Sequence, residues 1–307
     1  MTLAVREFRP DDAEDVAAVR RAVVPHLVCT GETVAWQMSH APAAMRLRRL
    51  VAEQDGRVVG CADTGVDIES AEGGHGFLHT AVLPGFLGHG AGSGLVAAAE
   101  RHLSHNGVAV VHSWVADDDR SRGFAERHGY VRGRLGRFLG LDLAAADLPR
   151  LPDPLPDGIA LRRVADFGDD LRPLHEADVE CVADEPGDVA TGPVPFEDWL
   201  PLNWARPDFD ADLSSVVLVD GAVAAYSVAQ VDGRDRYWSG MTGTRRAHRG
   251  RGLARLAKTA SLRRARAAGY TRAFTGNDAE NRPMLAVNER LGYRPAGAEW
   301  RCAKRLG

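Results

Sequence analysis

Arg249-Gly250-Arg251-Gly252-Leu253-Ala254 stands between a strand-like segment, Tyr237–Thr244, and a helix-like run, Gly252–Ala268. Glycines at a strand-to-helix turn let the backbone come close to a ligand. The first N–H groups of the helix have no intrahelical partner, and the positive end of its dipole faces the same way. In physical terms this is a pyrophosphate cradle. The chain contains no GxxxxGK[ST] stretch, and the loop follows the fourth strand of its half rather than the first. A P-loop and a Rossmann dinucleotide site are therefore disfavoured.

Working outward, the second half reads as an α/β unit. Ile159–Val164 alternates like a strand, Asp169–Val182 carries a partial helical period, and Phe196–Trp204 is a short second helix. Ser215–Val219 and Ala222–Gln230 flank Asp220-Gly221, a hairpin signal. Leu253, Leu256, Ala257 and Ala260 share a face of the helix that Gly269 ends. Tyr270–Thr275 is a strand, Arg282–Leu291 a helix ended by Gly292, and Tyr293 opens a last strand.

The first half gives nearly the same list. Gly90 precedes Gly252 by 162 positions, and Gly107 precedes Gly269 by 162. Gly129-Tyr130 precedes Gly292-Tyr293 by 163, Asp55-Gly56 precedes Asp220-Gly221 by 165, and Arg6 precedes Arg162 by 156. Such steady offsets indicate two copies of one fold. Residues 144–158 hold Pro149, Pro152, Pro154 and Pro156, which favour extended backbone. The expected organisation is a domain over 1–146, a proline-rich linker over 147–156 and a second domain over 157–307. The 307-residue length suits two such domains.

Composition narrows the class. A 45% hydrophobic content excludes a wholly disordered chain, and a net charge of −4 argues against a basic nucleic-acid binder. The scattered Cys29, Cys61, Cys181 and Cys302 form no CxxC pair, and the histidines form no convincing metal set, so no metal is expected. His75 and His79 would share a face only along a strand. The residues 73–99 lack Asp, Glu, Lys and Arg but hold eight glycines, Pro84 and three histidines, too broken for a membrane helix. The opening MTLAVREFRPDD has no signal pattern, and a cytoplasmic protein without a membrane partner is the expectation. Charge is segregated: residues 176–235 hold fourteen acids and two arginines, whereas 245–272 hold ten basic residues and no acid. The basic stretch would draw a polyanion to the loop. The acidic one, with Phe196, Trp199 and Trp204, would suit a cationic acceptor.

The loop resembles the acetyl-CoA loop of the GNAT superfamily of N-acetyltransferases, Arg/Gln-x-x-Gly-x-Gly/Ala. The segment from Asn281 to Tyr293 resembles that family's N-x-x-A-x-x-F-Y-E-x-x-G-F pattern. The resemblance implies a tandem GNAT protein of mixed α/β class, each domain a central, mostly antiparallel mixed sheet flanked by helices. It implies acetyl-CoA as co-substrate and direct transfer to the amine of a small, cationic molecule. Thr242, Gly243, Thr244, Arg249, Gly250, Arg251, Gly252, Leu253, Ala254 and Asn281 would hold acetyl-CoA. Asn288 stands where the family's thiolate acid, a Tyr, is usual; an amide can donate a hydrogen bond but no proton. Asp184, Glu185 and Asp188, in the segment that shapes the family's acceptor cleft, are the candidate bases, ahead of Tyr226 and Tyr237. In the first half, Val82 to Gly92 resembles the same loop with Leu87 in place of Arg. Its tail keeps Phe124 and Gly129 but carries Asp118 for Asn and Ala125 for Tyr, so this half is expected to be degenerate. Two other readings stay open: a non-catalytic acyl-CoA-binding scaffold, and a protein or peptide N-acetyltransferase.

Overall fold

Both predicted hairpins form, and their turns show why. Asp55 and Gly56 have φ of 50° and 79°, and Asp220 and Gly221 have φ of 50° and 83°. Two consecutive positive φ values suit a two-residue turn whose twist matches the strands it joins. The first turn joins β2 (Arg48–Gln54) to β3 (Arg57–Val66), and the second joins β8 (Ser215–Val219) to β9 (Ala222–Val231).

The computed structural model describes residues 3–307. It divides into two compact units. Unit 1 comprises residues 1–136, 188–192 and 298–307; unit 2 comprises 137–187 and 193–297. In unit 1 the strands β1 (Leu3–Glu7), β2, β3, β4 (His75–Val82) and β5 (Val110–Ala116) lie side by side in that order. Its helices are α1 (Ala13–Val23), α2 (Gly31–His40), α3 (Ala91–His105) and α4 (Asp119–Arg127). In unit 2 the strands β7 (Ile159–Arg163), β8, β9, β10 (Arg236–Thr244) and β11 (Arg272–Asp278) repeat the arrangement. Its helices are α5 (Arg172–Val182), the short α6 (Phe196–Trp199), α7 (Leu253–Ala267) and α8 (Arg282–Arg290). Neighbouring strands run antiparallel except β4–β5 and β10–β11, which are parallel.

The sixth strand of each unit departs from the sequence reading. Residues Glu299–Arg305 of β12 (Arg294–Arg305) pair antiparallel with β5 in unit 1. In unit 2 the neighbour of β11 is β6 (Val131–Asp142), whose residues from Arg137 onward belong there. Each sheet is thus completed by the last strand of the other half of the sequence. The border falls at Gly136/Arg137 rather than in the proline segment 147–156. The physical reason is burial: Leu143 and Leu148 lie in the core around Tyr237, Leu262 and Ala273, and Arg266 Nη1 donates to the Ala146 carbonyl at 2.7 Å.

Helices cover both faces of the unit 2 sheet. On one face Leu253 and Ala257 of α7 pack against Val217, Val219, Ala224 and Ala225. On the other, Leu174, Ala177 and Cys181 of α5 meet Val216 and Tyr226, with the Trp199 and Trp204 rings tilted against each other beside them. Among the described residues no helix is long and apolar enough to cross a membrane.

Unit 1 depends on a buried ion cluster. Arg49 is 1% exposed and donates to both oxygens of Asp63, from Nε at 2.6 Å and from Nη2 at 3.0 Å; Arg20 pairs with the same carboxylate. Burial, and then the nearby Arg20 charge, push the Arg49 guanidinium down to about 9. Removing one partner of a buried pair strands the other and costs about 3–5 kcal/mol. Asp63→Ala is therefore expected to lower stability by about that amount. Denaturant unfolding measures it, and an unchanged midpoint would show that the cluster does not support the unit.

Candidate functional site

The site begins where two strands part. β10 pairs with β11 only from Arg236↔Arg272 to Trp238↔Phe274, although β10 runs on to Thr244 and β11 to Asp278. Beyond that point the backbone ladder of β10 continues on one side only, to β9, and β11 reaches it through Thr275 Oγ1, which donates to the Ser239 carbonyl at 2.9 Å. Its register there shifts between Ser239 and Thr242, a β-bulge. An extra residue in one strand kinks it and re-aims its backbone. The gap so formed belongs to a cleft of about 760 Å³.

At the cleft's basic end, Gly250 and Gly252 have φ of 77° and 78°, a left-handed backbone that side chains rarely adopt. A Cβ at either would meet nothing within 4 Å, so backbone conformation rather than crowding selects glycine. Gly252 is the N-cap of α7 and provides no side-chain cap; the first intrahelical bond runs from Leu256 N to Gly252 O. The earlier N–H groups are left for a ligand. His248, Arg249, Arg251, Arg255 and Arg290 line this end. Asn281 caps α8, accepting from Met284 N at 3.3 Å, and lines the cleft beside Met284 and Val287.

The other end is formed by Met241, Thr242, Gly243, Thr244, Cys181, Asp184 and Glu185. Gly243 permits close approach of α5: a Cβ there would lie 2.7 Å from both Cys181 Cβ and Sγ. The buried Cys181 thiol is pushed up to about 12 by burial and by the Glu180 and Asp178 charges. All ten residues expected to hold the cofactor therefore line one cleft, together with two of the three expected to be catalytic.

Those three are treated differently by the structure. Asp184 accepts from Arg246 Nε at 2.8 Å and Nη2 at 2.6 Å and pairs with Arg249. The two guanidiniums hold its carboxyl down to about 2. Such a carboxylate positions the loop's arginines and is too weakly basic for proton abstraction, which corrects its reading as a base. For Glu185, desolvation within the cleft, then the Asp178 and Asp278 charges, hold the carboxyl above the ordinary range. Asn288 does not line the cleft. It is fully buried, and its Nδ2 donates to Asn277 Oδ1 at 2.7 Å. Tyr226 and Tyr237 are also committed to the interior. Tyr226 Oη donates to Asp178 at 2.6 Å, and Tyr237 Oη bonds Ser261 Oγ at 2.6 Å. Trp199 and Trp204, candidate acceptor contacts, are core residues, and Trp199 Nε1 donates to Asp178 at 2.7 Å.

Unit 1 keeps the backbone but changes the lining. Gly88 and Gly90 have φ of 84° and 91°, matching the loop of unit 2. However, β4 pairs with β3 in unbroken register from Gly60↔Val82 to Val66↔Gly76, without the bulge. The Phe124 ring rests on Gly92, whose counterpart in unit 2 is Ala254; a Cβ at Gly92 would lie 3.1 Å from Phe124 Cζ. His128 Nε2 bonds Ser93 Oγ at 3.1 Å, tying α4 to the first turn of α3. His79 stacks on Trp114 at 4.5 Å, and His75 Nδ1 meets His112 Nε2 at 2.9 Å.

A glycine loop at a helix start, set beside a bulged strand that parts from its parallel neighbour, defines an acyltransferase-type fold present in two copies. The chain belongs to the Acetyltransferase (GNAT) family, whose pattern matches residues 20–130 and 179–293. A GCN5-related N-acetyltransferase from Sphaerobacter thermophilus superposes with a TM-score of 0.72 at 22% identity, over 99% of this chain and 96% of that one. A tandem GNAT protein from the clavulanic acid biosynthesis pathway gives 0.74 at 20% identity, over 100% and 99%. The glucosamine N-acetyltransferase region of a fungal multi-domain β-N-acetylglucosaminidase gives 0.68 at 19%, over 98% of this chain and 38% of that one. No protein of curated function matches in sequence.

The close packing at Gly243 yields a prediction. Adding a methyl group against Cys181 overpacks the junction of β10 and α5, which typically costs about 1–3 kcal/mol. Gly243→Ala should destabilise the protein by that amount, and Gly243→Ala with Cys181→Ala should recover part of it. Thermal unfolding of the single and double variants measures the coupling; additive effects would show that the two positions do not press on each other.

Proposed function

We propose that unit 2 transfers an acetyl group from acetyl-CoA to the primary amine of a small, cationic molecule, in a ternary complex. The observation that carries this reading is a single cleft in which an arginine-flanked glycine loop shares its walls with the Glu185 carboxyl. The N–H groups before Leu256 and the guanidiniums of Arg251, Arg255 and Arg290 would hold the phosphates, and Thr242–Thr244 would lie along the acyl arm. A backbone N–H at the bulge would polarise the thioester carbonyl. Glu185 would take the proton of the amine, directly or through water, and its raised pKa makes it a stronger base than Asp184, which is held down. Cys181 is the cysteine that lines the cleft, and a thiol held near 12 does not favour a covalent acyl-enzyme, which supports direct transfer. An amino sugar belongs in the acceptor panel because one structural neighbour is named as a glucosamine N-acetyltransferase region. A cytoplasmic location suits a reaction that draws on acetyl-CoA.

Unit 1 is read as a fold partner with a degenerate cleft. Leu87 supplies no guanidinium where unit 2 has Arg249, and the Phe124 ring covers the first turn of α3. The alternative of a non-catalytic acyl-CoA binder is separated by turnover: acetyl-CoA would bind, yet no amine would release CoA.

Two outcomes test the proposal. Gly252→Glu places bulk and negative charge in the phosphate cradle at a position with φ of 78°. Calorimetry should find one tight acetyl-CoA site per wild-type chain and none in this variant, with the fold retained; unchanged affinity removes the loop from the site, and two equal sites restore unit 1 as a binder. In the second, kcat/KM should rise with pH along a limb above the ordinary glutamate range, since Glu185 acts only when deprotonated and its pKa is raised. Glu185→Gln should abolish that limb and lower kcat/KM by about 10²–10⁴-fold. A variant that keeps both the rate and the limb rules Glu185 out as the base.

A further inference from the structure

The interior of unit 2 holds an amine that its fold does not explain. Lys258, on α7, is 0% exposed, and its Nζ has no hydrogen-bond partner. The Nζ lies 5.1 Å from the centroid of the Tyr293 ring. Burying an ammonium without a partner is strongly unfavourable. Three further buried polar atoms of the unit are also unpartnered: Tyr293 Oη, Ser239 Oγ and Asn288 Oδ1. Buried polar atoms need partners, which ordered water supplies where protein does not.

The strand register shows where these groups lead. Tyr237 pairs with Val231, Ser239 with Ala229, and Thr242 with Ser227. Partners directly across an antiparallel pair share a face, and so do residues two apart on a strand. Tyr237, Ser239, Thr242 and Ser227 therefore lie on one face, the face that α7 covers. Without the bulge, Met241 would take the place that Thr242 has. The bulge is what continues the row of hydroxyls up to the cleft, where Thr242 lines the wall. Ser227 Oγ and Thr242 Oγ1 are 3.0 Å apart, and Tyr237 Oη meets Ser261, one turn along α7 from Lys258, at 2.6 Å.

Resting on the acetyl-CoA reading above, we infer that Lys258 and this hydroxyl row form an internal proton path, ending at Thr242, that supplies the proton taken up by the departing CoA thiolate. The amine nitrogen forms a bond to the thioester carbonyl carbon as the carbon–sulfur bond breaks with its electron pair on sulfur. A proton leaves the Lys258 ammonium, passes by successive O–H transfers through the row and any water between, and ends on sulfur. The free amine of Lys258 regains a proton from solvent, which the acceptor amine has supplied. Asn288, at the family's Tyr position, has no proton to give. Lys258 is thus a positioning and proton-storing residue behind the cleft wall.

The charge balance suits this role. Burial alone pulls the Lys258 ammonium down to about 7. Its Nζ faces the Tyr293 ring from the turn before β12, and Ser261, bonded to the Tyr237 phenol of β10, stands one turn along α7. Both phenols are raised by burial, so neither titrates near neutrality, and burial pulls the Arg264 guanidinium, further along α7, below its ordinary value.

The test uses the full chain with hydroxylamine as a small acceptor that needs little recognition, following CoA release from pH 6 to 9. Calorimetry of acetyl-CoA runs beside it. In the wild type, kcat should fall as pH rises through about 7, because the donor must carry its proton. Lys258→Met should bind acetyl-CoA as the wild type does, lose that limb and lower kcat by about 10²-fold or more. Ser227→Ala, which leaves Lys258 in place but breaks the row beside Thr242, should lower kcat in the same direction without moving acetyl-CoA affinity. Thermal unfolding confirms that both variants fold. Retention of rate and limb in folded Lys258→Met, or acetyl-CoA binding without enzyme-dependent CoA release in the wild type, overturns the path. Failure of the wild type to bind acetyl-CoA overturns instead the reading on which it rests.

Discussion

β10 can hydrogen-bond to two neighbours over only part of its length, and the rest of unit 2 is arranged around that limit. Its parallel pairing to β11 stops at Trp238 and Phe274. Past that point the edge of β10 would be an open ladder, and open ladders invite non-native pairing. The bulge between Ser239 and Thr242 turns the strand away from a regular edge, and α5, α7 and α8 contribute to the walls beside it. A cleft at this place follows from the backbone alone. What it binds is decided by the side chains at each end.

The two units separate those contributions. Both loops carry two glycines in the left-handed conformation before a long helix, so the backbone cradle is common to both. Around it, unit 1 has an unbroken β3–β4 register, a phenylalanine ring on the first turn of α3 and a leucine where unit 2 has Arg249. Conformation was kept where glycine is required, while the residues that confer charge and space diverged.

Much of this was legible in the sequence because it depends on local rules. Asp-Gly turns, helix-ending glycines and the loop itself are set by which residues tolerate positive φ, so the hairpins, α7 and the glycine-loop end of the cleft could be read directly. The second copy could be read for the same reason. Three features were not. The bulge depends on which residue of β9 faces which residue of β10, a register that no single strand announces. Asp184 looked like a base because its sequence neighbours do not include Arg246 and Arg249, which meet it only after folding. The burial of Asn288 depends on how α8 seats against β11, and its bond to Asn277 is a contact made only after folding.

The exchange of final strands bears on how such a chain can be divided. Residues 144–158 look like a hinge at which a gene could be split, yet a protein ending there would lack the segment 298–305 that pairs with β5, leaving that strand's outer ladder exposed. The complementary fragment, starting at Ile159, would lack β6 beside β11 and the buried Leu143 and Leu148. Neither fragment carries a complete sheet. A duplication of this form is locked into one polypeptide: the first half is not dispensable to the second, because the second draws its last strand from it.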